Sequence, residues 1–407
     1  MVRLADIVDI FDGPHATPRK THDGPIFLGV SSLVNGRLDL SDVAHLSEDD
    51  FLRWTRRVIP SPGDVVFSYE TRLGEAALIP SGLRCCLGRR MGLLRVISAQ
   101  VDPRYLLYAY LGPHFQHVIR ERTIHGSTVD RIPLKNMGTF PIALPPRAEQ
   151  DRIVSVLGTL DDKIDRNGRL ARLLEQICRT EFQARFVDFI GVEDLDESGL
   201  GQIPVGWRAG VLGDIGVVHR DLVKGASDLP YIGLDLMPRG STVLTEWREE
   251  EAPTGQAARF EVGDILFGKL RPYLRKVGVA PVAGRCSTEI LVLRPTKPEY
   301  YGALLGHVAS EAFIEHCVAV SRGTRMPRAE WKDASAFQIA IPPIEEATTF
   351  SALVHDLYAK VRCLTHESRT LAAIRDSLLP RLISGEIRLP DTADTGEVIE
   401  PLVDVAT

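Results

Sequence analysis

At 407 residues, 44% of them hydrophobic and 25% charged, the chain has room for two or three domains, each able to bury its own core, in a composition ordinary for a soluble protein. No apolar run approaches the roughly 20 residues of a membrane span, and acids interrupt the N-terminus (Asp6, Asp9) where a signal peptide needs an apolar stretch, so a cytoplasmic protein is expected. The net charge of −6 argues against a strong polybasic binder, but by region it is +2 over 1–143, −4 over 144–203, +1 over 204–343 and −5 over 344–407, leaving slightly basic globular parts.

Residues 1–143 read as mixed α/β. Short apolar runs bounded by Gly and Pro, such as Asp64-Val65-Val66-Phe67 and Leu93-Leu94-Arg95-Val96-Ile97, predict strands, and helical sequence follows from Pro103 to Arg122. Pro145-Pro146 cannot sit inside a helix and marks where the next one begins. Beyond it Ile153, Leu157, Leu160, Ile164, Asn167, Ala171, Leu174 and Cys178 recur at alternating four- and three-residue steps, which predicts a long helix over 144–186. Residues 187–203 read as an acidic linker. Glu193-Asp194-Leu195-Asp196-Glu197-Ser198-Gly199 starts like a calcium loop, but Val205 stands where that loop needs its closing glutamate.

The second half follows the same order. Residues 204–343 read as mixed α/β, with a strand at Ile290-Leu291-Val292-Leu293 and helical sequence from Pro298 to Val318. After Pro342-Pro343, the positions Phe350, Val354, Leu357, Val361, Leu364, Ser368 and Leu371 set a second long helix over 344–385, with Gly385 as its stop. Each helix, at about 40 residues, would be roughly 60 Å long. Residues 386–407, with an excess of five acids over bases, predict a disordered tail.

The two halves are written on one template. Gly126-Ser127 returns as Gly323-Thr324, Phe140-Pro141-Ile142-Ala143-Leu144-Pro145-Pro146 as Phe337-Gln338-Ile339-Ala340-Ile341-Pro342-Pro343, and Glu149 as Glu346, all at an offset of 197. That register runs on through both helices, where Ile153, Leu157, Leu160, Ile164 and Leu174 match Phe350, Val354, Leu357, Val361 and Leu371. Further upstream, Gly63-Asp64-Val65-Val66-Phe67 answers Gly263-Asp264-Ile265-Leu266-Phe267 at an offset of 200. A period near 200 is too long for a solenoid and indicates a duplicated domain. The expected fold is α/β: two mixed α/β domains related by pseudo-two-fold symmetry, separated by two long antiparallel coiled-coil helices that pair through the matched apolar positions. Asn167 is a polar residue on that stripe, a device that fixes register.

Chemistry is hard to find. The six cysteines (85, 86, 178, 286, 317 and 363) form no CxxC and read as buried reduced thiols. There is no Gly-x-Gly-x-x-Gly opening a helix, no Walker loop, no HExxH and no GxSxG. Neither Pro-Pro is preceded by Asp or Asn and followed by an aromatic, as an amino-methyltransferase site requires, and no acid-acid-Lys cluster suits a nuclease. Together these absences favour recognition over catalysis.

The residues do resemble a known family, the specificity subunit of type I restriction-modification systems. The resemblance covers nearly the whole chain. It is carried by Phe140 to Val154, Leu160-Asp161-Asp162-Lys163-Ile164-Asp165-Arg166-Asn167, Leu200-Gly201-Gln202-Ile203-Pro204-Val205-Gly206-Trp207, Gly263-Asp264-Ile265-Leu266-Phe267 with Lys269, Leu270 and Arg271, and Leu378 to Ile387. It implies two target-recognition domains (1–143 and 204–343), each reading half of a split double-stranded DNA site, held apart by the two conserved helices. It also implies that this chain carries no chemistry and no cofactor. Two modification subunits would supply S-adenosylmethionine and methylate adenine at N6, and restriction subunits would add ATP- and Mg2+-dependent cleavage. Ala347 in place of Gln150, and Thr348-Thr349, depart from the family's pattern in the second helix.

Arginine suits guanine edges and phosphates, Ser and Thr suit either, and aromatics stack or wedge. By that chemistry the DNA-facing candidates are Ser68, Tyr69, Arg72, His125, Ser127 and Arg131 in the first half. In the second half they are Lys269, Arg271, Tyr273, Arg275, Lys276, Arg322, Thr324 and Arg325, in matching places. Two other readings stay open at this point: a fused methyltransferase or nuclease, and a scaffold that joins proteins through its helices without reading DNA.

Overall fold

Gly63 and Gly263 both take a left-handed backbone (φ +88° and +87°) that turns the chain into the central strand of a sheet. Each is followed by an aspartate that fastens the turn. Asp64 accepts a backbone bond from Ser61 and a two-pronged ion pair from Arg95, at 2.6 and 2.9 Å. Asp264 does the same with Glu261 and with Arg294, at 2.6 and 2.7 Å. Both carboxylates are buried, so their full pairing with an arginine is what makes the burial tolerable. This is why Gly-Asp survives in both copies.

The computed structural model describes every residue except 15, 41–42, 127–128, 225–227, 250–254 and 391–407. The chain divides into two units: unit 1 comprises Met1–Lys163 with the chain from Leu371 onward, and unit 2 comprises Ile164–Thr370.

In unit 1, β1 (Val8–Asp12), β2 (Val65–Ser68), β3 (Ala76–Leu78) and β4 (Met91–Val96) form an antiparallel sheet in the order β1-β4-β2-β3. Helices α1 (Pro103–Leu111) and α2 (Pro113–Arg122) belong to the same unit, which buries Tyr105, Tyr108, Tyr110, Phe115 and Phe140. Helix α3 (Arg147–Phe182) starts in unit 1 and contributes Ile153, Val156, Leu157 and Leu160 to this core.

Unit 2 repeats the plan. Strands β5 (Gly216–Val218), β6 (Ile265–Gly268), β7 (Val277–Val279) and β8 (Ile290–Pro295) run antiparallel in the order β5-β8-β6-β7. Helices α4 (Tyr301–Ala309) and α5 (Glu311–Val320) take the places of α1 and α2. Helix α6 (Ile344–Ser384) gives Phe350, Val354, Tyr358, Val361 and Leu364 to the core of unit 2. The repeated Phe-x-Ile-Ala segments serve one purpose in both units. Pro141–Ile142 pairs with Val2–Arg3, and Gln338–Ile341 pairs with Arg208–Val211, tying the end of each globular part to its beginning.

Four sequence expectations change here. Pro103 to Arg122 is two helices, because Gly112 is extended (ψ 150°) and Pro113 starts a new one. Pro298 to Val318 also breaks, at Ser310, whose hydroxyl caps the second piece by accepting from the Phe313 N–H at 3.2 Å. Cys363 is exposed, unlike the other five cysteines, because it lies off the apolar stripe of α6. The expected linker also holds a short hairpin, Leu195–Ser198 with Gly201–Pro204. Most of the expected tail lies outside the described residues.

Both long helices appear as anticipated after the proline pairs, and each contributes to both units. Within unit 2 they run antiparallel, since Phe182 lies 6.4 Å from Phe350 between ring centres while Asn167 donates to Glu367 at 2.7 Å and to Ser368 at 3.3 Å. Asn167 is buried, which matches the register role its position on the stripe suggests. Of the helix-pairing positions, Ile153, Leu157, Leu160, Phe350, Val354 and Val361 are buried, and Ile164, Leu174, Leu357 and Leu371 are half-buried. In unit 1 Leu378 and Leu382 of α6 share an apolar core with Leu157 and Leu160 of α3, and an ion pair is added beside it: Asp161 accepts from Arg375 at 2.9 Å, from Arg37 at 2.8 Å and from the Tyr108 hydroxyl at 2.6 Å.

Among the described residues no single helix is long and apolar enough to cross a membrane. The segments Pro298–Ala309 and Glu311–Val320 pass a length and composition test only as a pair bent by 67°, and their Leu304, Val308, Phe313 and Cys317 belong to the core of unit 2.

Candidate nucleic-acid interface

In both units two loops are stitched together beyond the end of the central strand. In unit 1 the loop after β2 meets the Gly-Ser loop, where the Ile132 N–H donates to the Tyr69 carbonyl at 2.9 Å and Glu70 bridges to Arg131. In unit 2 the loop after β6 meets the Gly-Thr loop, where the Ala329 N–H donates to the Lys269 carbonyl at 3.0 Å and Leu270 bridges to Arg328. The Gly-Ser/Thr loops are closed at the neck by paired backbone bonds, Ile124 with Arg131 and Arg322 with Arg328. Gly323, at φ +98°, supplies a turn that a side chain would strain.

The loop after each central strand carries a non-glycine residue in the left-handed region at the same place in the repeat: Thr71 at φ +67° and Arg271 at φ +53°. Such a conformation costs on the order of 1–3 kcal/mol and persists only where surrounding contacts enforce it. For Arg271 those contacts include a 2.7 Å bond from its N–H to the Pro327 carbonyl. Recurrence of the same strain at equivalent loops marks them as the specialised part of each unit.

The expected DNA-facing residues divide by exposure. Ser68 is fully buried, with its hydroxyl donating to the Glu70 carbonyl at 2.6 Å, and Tyr69 is 5% exposed. These two offer almost no surface and instead support the loop, because both faces of the strand Val65–Ser68 and its end are covered. Arg72 is exposed and pairs with Glu75 at 3.2 Å, while His125 is exposed beside Asp130, also at 3.2 Å. Arg131 is exposed, and Ser127 lies outside the described residues.

In unit 2, Tyr273, Arg322, Thr324 and Arg325 are exposed. Lys269 lies 3.4 Å from Glu330, Arg275 lies 3.4 Å from Glu311, and Arg322 bonds Asp333 at 2.9 Å. Lys276 donates to the Leu234 carbonyl, and burial together with the nearby Arg239 charge pulls its ammonium below the usual lysine range. It therefore holds the loop rather than presenting a free charge. Most of these cations already have an acidic neighbour, so the electrostatic attraction available to a phosphate backbone is moderate, in keeping with the small regional charges.

Sequence reasoning missed two features. Arg328, the counterpart of Arg131, forks onto Glu289 at 2.8–3.1 Å and holds that carboxyl below its usual range. The repeat offset of 197 would have found it. Met326, 44% exposed on the Gly-Thr loop, carried no motif at all. Among the described residues no group of three or more His, Cys, Asp or Glu is arranged to hold a metal ion.

With two copies of one mixed α/β plan, two long helices and paired basic loops in view, the class is that of a duplicated recognition protein. Residues 1–176 match the family described as the type I restriction modification DNA specificity domain. The chain is 24% identical over 359 residues to the specificity subunit of the type I restriction enzyme MjaIX of Methanocaldococcus jannaschii, covering 82% of this chain and 80% of that one. It is also 24% identical over 425 residues to the putative MjaX specificity subunit of the same organism, covering 95% and 93%. Its fold is similar to the crystal structure of a type I restriction-modification S subunit from M. genitalium, with a TM-score of 0.51, 15% identity and 96% of each chain covered. Residues 1–176 thus resemble a type I restriction modification DNA specificity domain, and the chain as a whole is similar to type I restriction enzyme specificity subunits.

Proposed function

We propose that this chain is the non-catalytic subunit that selects the DNA sequence for a type I restriction-modification complex. Residues 1–143 and 204–343 each read one half of an asymmetric, bipartite duplex target. The observation that carries this reading is the recurrence, in both units, of a strained loop stitched to a Gly-Ser/Thr loop, with different basic side chains in the two copies. Joined in the same way and unlike in side chains, such loops suit the reading of two different sequences. The exposed candidates Arg72, His125, Arg131, Tyr273, Arg322, Thr324 and Arg325, with the half-buried Arg271 and Arg275, form the contact set, and Ser68, Tyr69, Lys269 and Lys276 support them. The partner complex supplies S-adenosylmethionine for adenine-N6 methylation and the ATP- and Mg2+-dependent restriction step, in the cytoplasm.

Exchanging residues 1–143 for the same region of a relative is expected to change only one half of the recognised sequence. Mapping methylated adenines in DNA exposed to the assembled complex checks this. Altered bases in both halves would show that the units do not read independently, and methylation without sequence preference would make the chain a scaffold.

The modification partners have a place to dock. Leu170, Leu173 and Ile177 lie on α3 at 38%, 56% and 39% exposure, beside the buried stripe of Ala171, Leu174 and Cys178. A second apolar strip on a helix already packed on one side fits another helix. Leu173→Glu is expected to leave folding intact and weaken co-purification with the modification subunit by at least about tenfold, since it places a charge on a buried apolar contact. Unchanged assembly would move the partner's surface elsewhere.

A further inference from the structure

The two units differ in one physical respect at their stitched loops. In unit 2, Tyr273 is 53% exposed and Met326 is 44% exposed, one on each of the two loops. Tyr273 sits in the tight turn Pro272–Leu274, whose flanking residues Arg271 and Arg275 are both left-handed (φ +53° and +54°). The turn is clamped by bonds from the Leu274 N–H to the Arg271 carbonyl and from the Arg275 N–H to the Pro272 carbonyl, each 2.8 Å, and from the Gly240 N–H to the Arg275 carbonyl at 3.0 Å. A large ring held out of the protein by a rigid, strained turn has little rotational freedom left to lose when it inserts into something. Arg271, Arg275, Arg322 and Arg325 belong to the same two loops. In unit 1 the equivalent places hold Leu73 and Val129, both half-buried, with Leu73 packed against the core.

Exposed apolar side chains among cations are poorly suited to water and well suited to nucleic acid, where such residues enter between base pairs while the cations hold the phosphates on either side. We infer that unit 2 wedges Tyr273 and Met326 into the base stack of its half-site and bends it, whereas unit 1 reads its half-site without unstacking. This rests on the reading that both units bind DNA, and adds that unit 2 selects its sequence partly by how easily one base step opens. Flexible pyrimidine–purine steps would then be favoured there at a position that makes no base-edge hydrogen bond.

The test uses the full chain assembled with its modification subunits, on duplexes carrying the mapped target. The half-site of unit 2 is identified beforehand by exchange of residues 1–143. 2-Aminopurine is placed at each step of both half-sites in turn, and end-to-end energy transfer reports the bend. Apart from the adenine that must leave the stack to be methylated, wild type is expected to brighten the probe at one step in the half-site of unit 2 and at none in that of unit 1, with a bend of about 20–90°. Tyr273→Ala with Met326→Ala should abolish both signals and weaken cognate binding about tenfold, the scale of one lost stacking contact. Tyr273→Phe should retain both.

A wild-type complex that binds its target specifically with no bright step in that half-site beyond the methylated adenine overturns the wedge and leaves the DNA-reading function standing. So does a double-alanine variant that still unstacks and bends. A wild-type complex with no sequence preference fails the DNA-reading function itself, and the wedge with it.

Discussion

Asp161→Ala is expected to destabilise unit 1 by about 3–5 kcal/mol, because it leaves a buried guanidinium without its main partner. The Asp161 side chain is 15% exposed and that of Arg375 is 11% exposed. The carboxylate joins α3, α6, α1 and the short strand Arg37–Leu38 through Arg375, Tyr108 and Arg37. Asp376, 2.7 Å from Arg375 but 65% exposed, compensates only in part and places the loss toward the lower end of that range.

Burial by itself would raise the Asp161 carboxyl, but bonds from Tyr108 and Arg375 outweigh it and hold it below 3.8. A depressed carboxylate contributes its stability fully above the unfolded value and loses it as pH falls below that. The Asp161→Ala penalty should therefore be constant between pH 5 and 8. Urea unfolding followed by far-ultraviolet circular dichroism, with Asp161→Asn as the near-isosteric control, measures it. A loss under about 1 kcal/mol would mean that the network is no better than a surface pair.

Unit 2 is expected to weaken in mild acid through His307. This imidazole is buried against Phe182 in an edge-on contact of 4.9 Å, and its Nε2 has no hydrogen-bond partner. Burial pushes its pKa from 6.5 down to about 3. Between those values the unfolded chain takes up a proton that the folded one refuses. Stability is therefore intact above pH 6.5 and falls by about 1.4 kcal/mol for each pH unit below it, about 2 kcal/mol by pH 5.

His307→Phe should remove this slope without loss at pH 7.5, since it deletes an unsatisfied buried nitrogen and keeps the ring. Trp207, Trp247 and Trp331 all lie in unit 2, so tryptophan fluorescence during urea unfolding reports chiefly on that unit. Parallel pH dependence in wild type and variant would assign the acid sensitivity to other groups.

What the sequence by itself determined is whatever depends on short-range pattern. The 197-residue offset located both copies, the proline pairs placed the starts of both long helices, and the alternating four- and three-residue spacing marked positions of which Ile153, Leu157, Leu160, Phe350, Val354 and Val361 are buried. These follow from local rules: proline has no N–H to donate inside a helix, and an apolar stripe must find cover. Even the register residue Asn167 was visible as a polar interruption of that stripe.

Only the tertiary structure decided what each candidate side chain does at the interface. Ser68 and Tyr69 are buried at the end of a strand covered on both faces while Tyr273 is exposed on a clamped left-handed turn, so packing around the strand and backbone geometry set exposure independently of residue type. The partners of Asp64 and Asp264 lie 31 and 30 residues further along and meet them only once the sheet has formed. Met326 became a candidate only when its loop was found joined, by one 2.7 Å bond from Arg271 to Pro327, to the turn that carries Tyr273. A side chain's chemistry is written in the sequence, but its exposure and its neighbours are set by contacts between residues far apart in the chain.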